Sequence, residues 1–159
     1  MKKIIVYLVL WLIAGTFLMV WQHFVALPAW YLENLPLTQC ILMGVIGGIL
    51  YCLRSVYVNR CVRKIWDREW EVWYYLRPIT SGISGLVSFV FLKAGLLVLE
   101  ATSKPEQISF GYLAFAFIAG YNVDNFMKKL EEIAASAWGI TKSRASQDIG
   151  SNSEKNEQE

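Results

Sequence analysis

The stretch "GLVSFVFLKAGLLVLE", residues 85–100, holds a single lysine, Lys93, inside an otherwise uncharged apolar run. Its apolar residues are continuous and not spaced at amphipathic intervals, so no one face is set apart for a soluble core. Extended back to Ile79, the run reaches the roughly 20 residues a helix needs to cross a hydrocarbon layer about 30 Å thick. The fold class therefore turns on whether the rest of the chain repeats the pattern.

It does. Apolar blocks at 4–20, 37–53, 79–99 and 108–121 are each nearly free of charge. An open sheet cannot satisfy its backbone in lipid, which leaves helices. The expected architecture is an all-α integral membrane protein with four transmembrane helices at about those positions. The fourth block is short, about 21 Å at 1.5 Å per residue. It crosses if Val123, Phe126 and Met127 prolong the helix and Lys128 and Lys129 snorkel to the headgroups. An opening "MKK" before an apolar run also resembles a signal peptide, but no small-residue cleavage site follows within reach.

Basic residues orient these spans. Lys2 and Lys3 precede the first, none occurs between Gln22 and Leu35, and residues 54–77 hold Arg54, Arg60, Arg63, Lys64, Arg68 and Arg77. The 101–107 link has Lys104 alone, and the tail again carries Lys128, Lys129, Lys142, Arg144 and Lys155. This alternation places both termini in the cytoplasm by the positive-inside rule. The net charge of +2 averages two unlike sides, so no nucleic-acid partner is expected.

The 54–77 connection is the most patterned polar piece. Val58, Val62, Ile65, Trp66, Trp70 and Trp73 recur at helical spacing. Pro78 then opens the third span, where its missing N–H costs little. Arg60, Arg63, Lys64, Trp66, Trp70 and Trp73 are candidates for docking a partner or anionic lipid, beside the simpler reading of an interfacial belt. Residues 123–139 read as a cytoplasmic amphipathic helix whose apolar face is Val123, Phe126, Met127, Leu130, Ile133, Ala134 and Ala137, with Gly139 at its end. The 140–159 tail is polar, without aromatics, and is expected to be disordered. The domain reading is thus a four-span unit over 1–121, a cytoplasmic helix over 122–139, and the tail.

Little here suggests chemistry. His23 is the one histidine and has no metal-binding neighbour, which leaves no zinc site. Cys40, Cys52 and Cys61 lack metal or redox spacing, and no phosphate loop or H-E-x-x-H helix occurs. Ser88 and Lys93 fall about 140° apart on one helix and cannot face one another. No catalytic residue, cofactor or metal is expected. Carboxylates are absent from all four blocks, which argues against an ion-coupled transporter.

Two features remain. Lys93 lies about 9 Å short of Leu99 along the third span, within snorkelling reach of the headgroups and of Glu100; alternatively it faces a wet interior and gates. Gly44 and Gly48 form a GxxxG pair, and Gly82, Gly85 and Gly120 add small faces to two further spans. Such faces let helices approach closely, either within one bundle or, as expected here, also in a homo-oligomer.

The region 73–138, with "YYLRPITSGISG" opening one span and "AFIAGYNVDNFMKKLEE" closing the next, resembles small bacterial multi-span membrane proteins. These include membrane effectors of antiphage systems of the retron or cyclic-nucleotide type. The resemblance implies an inner-membrane protein that oligomerises and disrupts membrane integrity or potential in antiviral defence. The chain departs from many of them in lacking a recognisable folded sensor domain, so a separate cytoplasmic trigger protein is implied. The alternative is a non-lytic anchor, immunity or regulatory subunit.

Overall fold

Inside hydrocarbon an amide has no water to bond, so a spanning segment must satisfy its own backbone, and a helix does this residue by residue. The computed structural model describes residues 2–22, 24–26, 28–64, 71–94 and 110–139; every regular element among them is helical. Helix α1 covers Lys2–Trp21, α2 Ala29–Glu33, α3 Leu35–Tyr57, α4 Glu71–Lys93, α5 Phe110–Tyr121 and α6 Val123–Trp138. Three of them, α1, α3 and α4, are long and apolar enough to cross a membrane. With 23 residues each, α3 and α4 extend about 34 Å. The 12 residues of α5 reach only about 18 Å.

Contacts divide the chain between Val123 and Asp124. In the first unit α3 is central, flanked by α1, α4 and α5. Directions follow from who meets whom. Ile4 and Leu8 of α1 cluster with Cys52 and Val56 of α3, whereas Gly15 lies against Ile46, so α1 and α3 are antiparallel. Gly85 of α4 abuts Cys40, and Tyr74 reaches Ser55 through a 3.1 Å hydroxyl contact, so α3 and α4 are antiparallel too. The Cys40 thiol is 3.9 Å from the Tyr112 carbonyl, and Tyr51 packs on Tyr121 at the other end, making α5 parallel to α3. Direction alternates from α1 through α3 and α4 to α5. The starts of α1 and α4 and the ends of α3 and α5 therefore share one end of the bundle, with Lys3, Arg54 and Arg77.

The exterior is widely apolar, and the interior, mostly apolar itself, also holds polar side chains. Leu10, Ile13, Phe17, Ile79, Ile83 and Val90 are all more than half exposed. Ser81 and Ser88 are fully buried, and Gln39 and Ser84 nearly so. So wide an apolar surface in water would drive association. Lipid is the solvent that fits both observations.

Where the helices differ from the sequence expectation, long-range contacts are the cause. The third span was expected at 79–99, yet α4 begins at Glu71 and carries Pro78 at its eighth position, fully buried. Tyr74 and Arg77 extend the helix below Pro78 because both are buried in the bundle. The 54–77 connection is not one helix. Tyr57 passes into a π-helical turn, Val58–Val62, and Lys64 ends it with φ of +56°. That left-handed backbone costs a side-chain-bearing residue about 1 kcal/mol and marks a firm stop. Residues 65–70, 95–109 and 140–159 lie outside the described residues, and with them Trp66, Trp70, the end of the expected third span and the tail. At the end of α6, Gly139 takes φ of +64° and bonds the Ala135 carbonyl at 3.0 Å, a left-handed cap.

Candidate functional site at the basic end of the bundle

On α3, Tyr51 and Arg54 are one turn apart and so share a face. On α4, Trp73 and Arg77 are related in the same way. Antiparallel packing brings the two faces together. The Arg77 guanidinium lies 4.7 Å from the Tyr51 ring centroid and 4.8 Å from that of Trp73, and the residue is 3% exposed. Tyr51 and Trp73 meet edge to face at 5.8 Å, and Trp73 meets Tyr74 likewise at 5.2 Å. A cation between two desolvated rings gains about 2 kcal/mol or more, which offsets part of the cost of removing a guanidinium from water.

The array continues into α5. Tyr51 stands perpendicular to Tyr121 at 5.5 Å, and Tyr121 stacks on Phe117 at 6.1 Å. Arg54 donates from Nη1 to the Tyr121 hydroxyl at 2.8 Å. The chain Arg54–Tyr121–Tyr51–Arg77–Trp73 thus ties three helices together at one end. Sequence reasoning counted Arg77 only as an orienting charge. The available signal was its position four residues after Trp73, which stacks the two on one helix face.

The glycines expected at helix contacts lie between the chain's own helices. A Cβ on Gly44 would come 2.5 Å from the Ser81 carbonyl, and one on Gly82 would come 3.0 Å from Val45. On Gly48 it would collide with the Ser81 side chain, on Gly85 with the Cys40 carbonyl, and on Gly120 with the Gly44 carbonyl. Gly47, which the GxxxG reading passed over, has no more room, facing the Phe117 carbonyl. These faces hold α3, α4 and α5 at backbone contact within one chain.

Lys93 closes α4 as described. It is the last residue of α4, exposed, with its ammonium 5.8 Å from the Phe89 ring. At the end of α4 a cation complements the helix dipole. Ser88, the potential nucleophile nearest to it, is buried and donates to the Gly85 carbonyl at 2.7 Å. Arg60, Arg63 and Lys64 are exposed on the π turn and its end. Trp73, grouped with them as a docking residue, lies on α4 against the Arg77 guanidinium. Cys40 and Cys52 are buried and Cys61 is exposed, all as free thiols. Among the described residues no group of metal-binding side chains assembles. Compared with protein families, with curated proteins and with solved structures, the chain finds no match.

Proposed function

We propose that this chain is a non-lytic membrane subunit, anchored by four crossings with both termini cytoplasmic, that docks a cytoplasmic partner. The supporting observation is that the bundle closes on itself: the small faces of α3, α4 and α5 are filled by one another, down to backbone contact. In this reading α5 is the fourth crossing, supported by its running parallel to α3 from the level of Cys40 to that of Arg54. Docking falls to what the bundle leaves exposed at its basic end, Arg60, Arg63 and Lys64, and to the charged face of α6.

A second reading, the membrane effector, draws support from α1. That helix packs mainly on α3 and leaves Val6, Leu10, Ile13 and Phe17 facing outward. An oligomer of this chain uses that surface, since the glycine faces are occupied. Strong induction in a bacterial host separates the two. The subunit reading predicts an unchanged membrane potential and recovery of a protein partner that is lost on Arg60→Gln, Arg63→Gln, Lys64→Gln substitution. Collapse of the potential on induction alone contradicts it and favours the effector.

A further inference from the structure

We propose that Arg54 and Tyr121, at the seam of α3 and α5, bind the phosphate of an anionic phospholipid. The proposal rests on the membrane reading above, with the basic end of the bundle in a headgroup layer.

Three observations carry it. The first is donor geometry. Arg54 is exposed, and its bond to Tyr121 engages Nη1 alone. That leaves Nη2 and Nε of this exposed side chain as donors, and such an edge can pair with two phosphate oxygens. The Tyr121 hydroxyl accepts from Arg54 and so has its own proton to donate. Two donors on two helices thus stand side by side, 2.8 Å apart at their bonded atoms.

The second is the local field. Along α3 Arg54 has no carboxylate near it in sequence, the flanking ones being Glu33 and Asp67; at the same end of the bundle Glu71 opens α4. Basic surfaces between spanning helices attract acidic headgroups. The third separates a lipid from a free phosphate. One turn deeper than Arg54, Leu50 is exposed on the same face, and one turn deeper than Tyr121, Ile118 is 59% exposed. An acyl chain descending from the phosphate meets these two side chains, whereas a soluble anion has no use for them.

The full chain is purified and reconstituted into nanodiscs of phosphatidylcholine alone or mixed with phosphatidylglycerol. Retained lipid is read by native mass spectrometry and stability by thermal unfolding. The wild type is expected to keep phosphatidylglycerol selectively, in high salt as well as low, and to melt higher in its presence. Arg54→Gln is expected to weaken retention about tenfold, one charge-assisted pair's worth, and Tyr121→Phe to weaken it less. Arg54→Lys, which keeps the charge and loses the fork, falls between wild type and Arg54→Gln. The triple Arg60→Gln, Arg63→Gln, Lys64→Gln chain is expected to retain the lipid. The proposal is overturned if that triple variant loses the lipid while Arg54→Gln keeps it, which is diffuse attraction. It is overturned equally if inorganic phosphate stabilises the protein in phosphatidylcholine discs as much as phosphatidylglycerol does. A wild-type chain that fails to enter the discs at all contradicts the membrane reading itself, and the proposal with it.

Discussion

Gly120→Leu is expected to abolish the bundle, and Gly120→Ala to destabilise it by about 1–3 kcal/mol. The reason is that a Cβ at this position meets only backbone. Besides the Gly44 carbonyl oxygen, its nearest neighbours are the carbonyl carbon and Cα of Gly44, both 2.6 Å away. No side chain can swing aside, so α3 and α5 must separate. Separation then loosens every contact in the seam, including those of Gly47 and Gly48. The opposing term is small, since alanine improves on glycine inside a helix by about 1 kcal/mol. Gly15 is the control. There the new Cβ finds Ile46 Cγ1 at 3.5 Å, ordinary contact, so Gly15→Ala is expected to be neutral or to stabilise by up to about 1 kcal/mol. Thermal unfolding of purified protein in detergent compares the two. Equal behaviour would contradict the packing account.

Arg77→Ala is the second large effect, with an expected loss of about 2–4 kcal/mol. Truncation removes a cation from between Tyr51 and Trp73 and leaves a cavity among α3, α4 and their rings. Those rings are also where Tyr121 of α5 joins, so the damage extends to the third helix. Arg77→Lys keeps the charge but replaces a planar, weakly hydrated group with a compact ammonium that stacks poorly. It is expected to recover only part of the loss. The same unfolding assay reads all three proteins. An Arg77→Ala chain as stable as the wild type would reduce the cluster to incidental proximity.

Membrane character was legible because hydropathy reports depth: three uninterrupted apolar runs became three helices of spanning length. Facing was not legible, because it depends on partners distant in sequence. Tyr74 and Arg77 look like interfacial residues in a list of side chains, yet Ser55 and Tyr51 take them into the bundle. Glycine spacing carries no information on whether the opposing helix belongs to the same molecule; here Gly44, Gly48, Gly82, Gly85 and Gly120 lie against helices of their own chain. The expected third span runs on to Leu99, past the described end of α4 at Lys93, and that stretch lies outside the described residues. Conversely, Gly139 was readable because a left-handed cap is a local requirement that glycine meets most cheaply.

Thiol labelling in intact cells tests the central claim, a lipid-embedded bundle with its basic end inside. Cys61 already lies at that end, exposed, just past the apolar part of α3. Ala26, exposed between α1 and α2, marks the opposite end, and Ala26→Cys in a Cys61→Ser background supplies the second probe. With a membrane-impermeant maleimide, the account predicts labelling of the residue-26 probe on intact spheroplasts and of Cys61 only after the membrane is opened. Both probes reacting from the same side, or Cys61 reacting first, would contradict it.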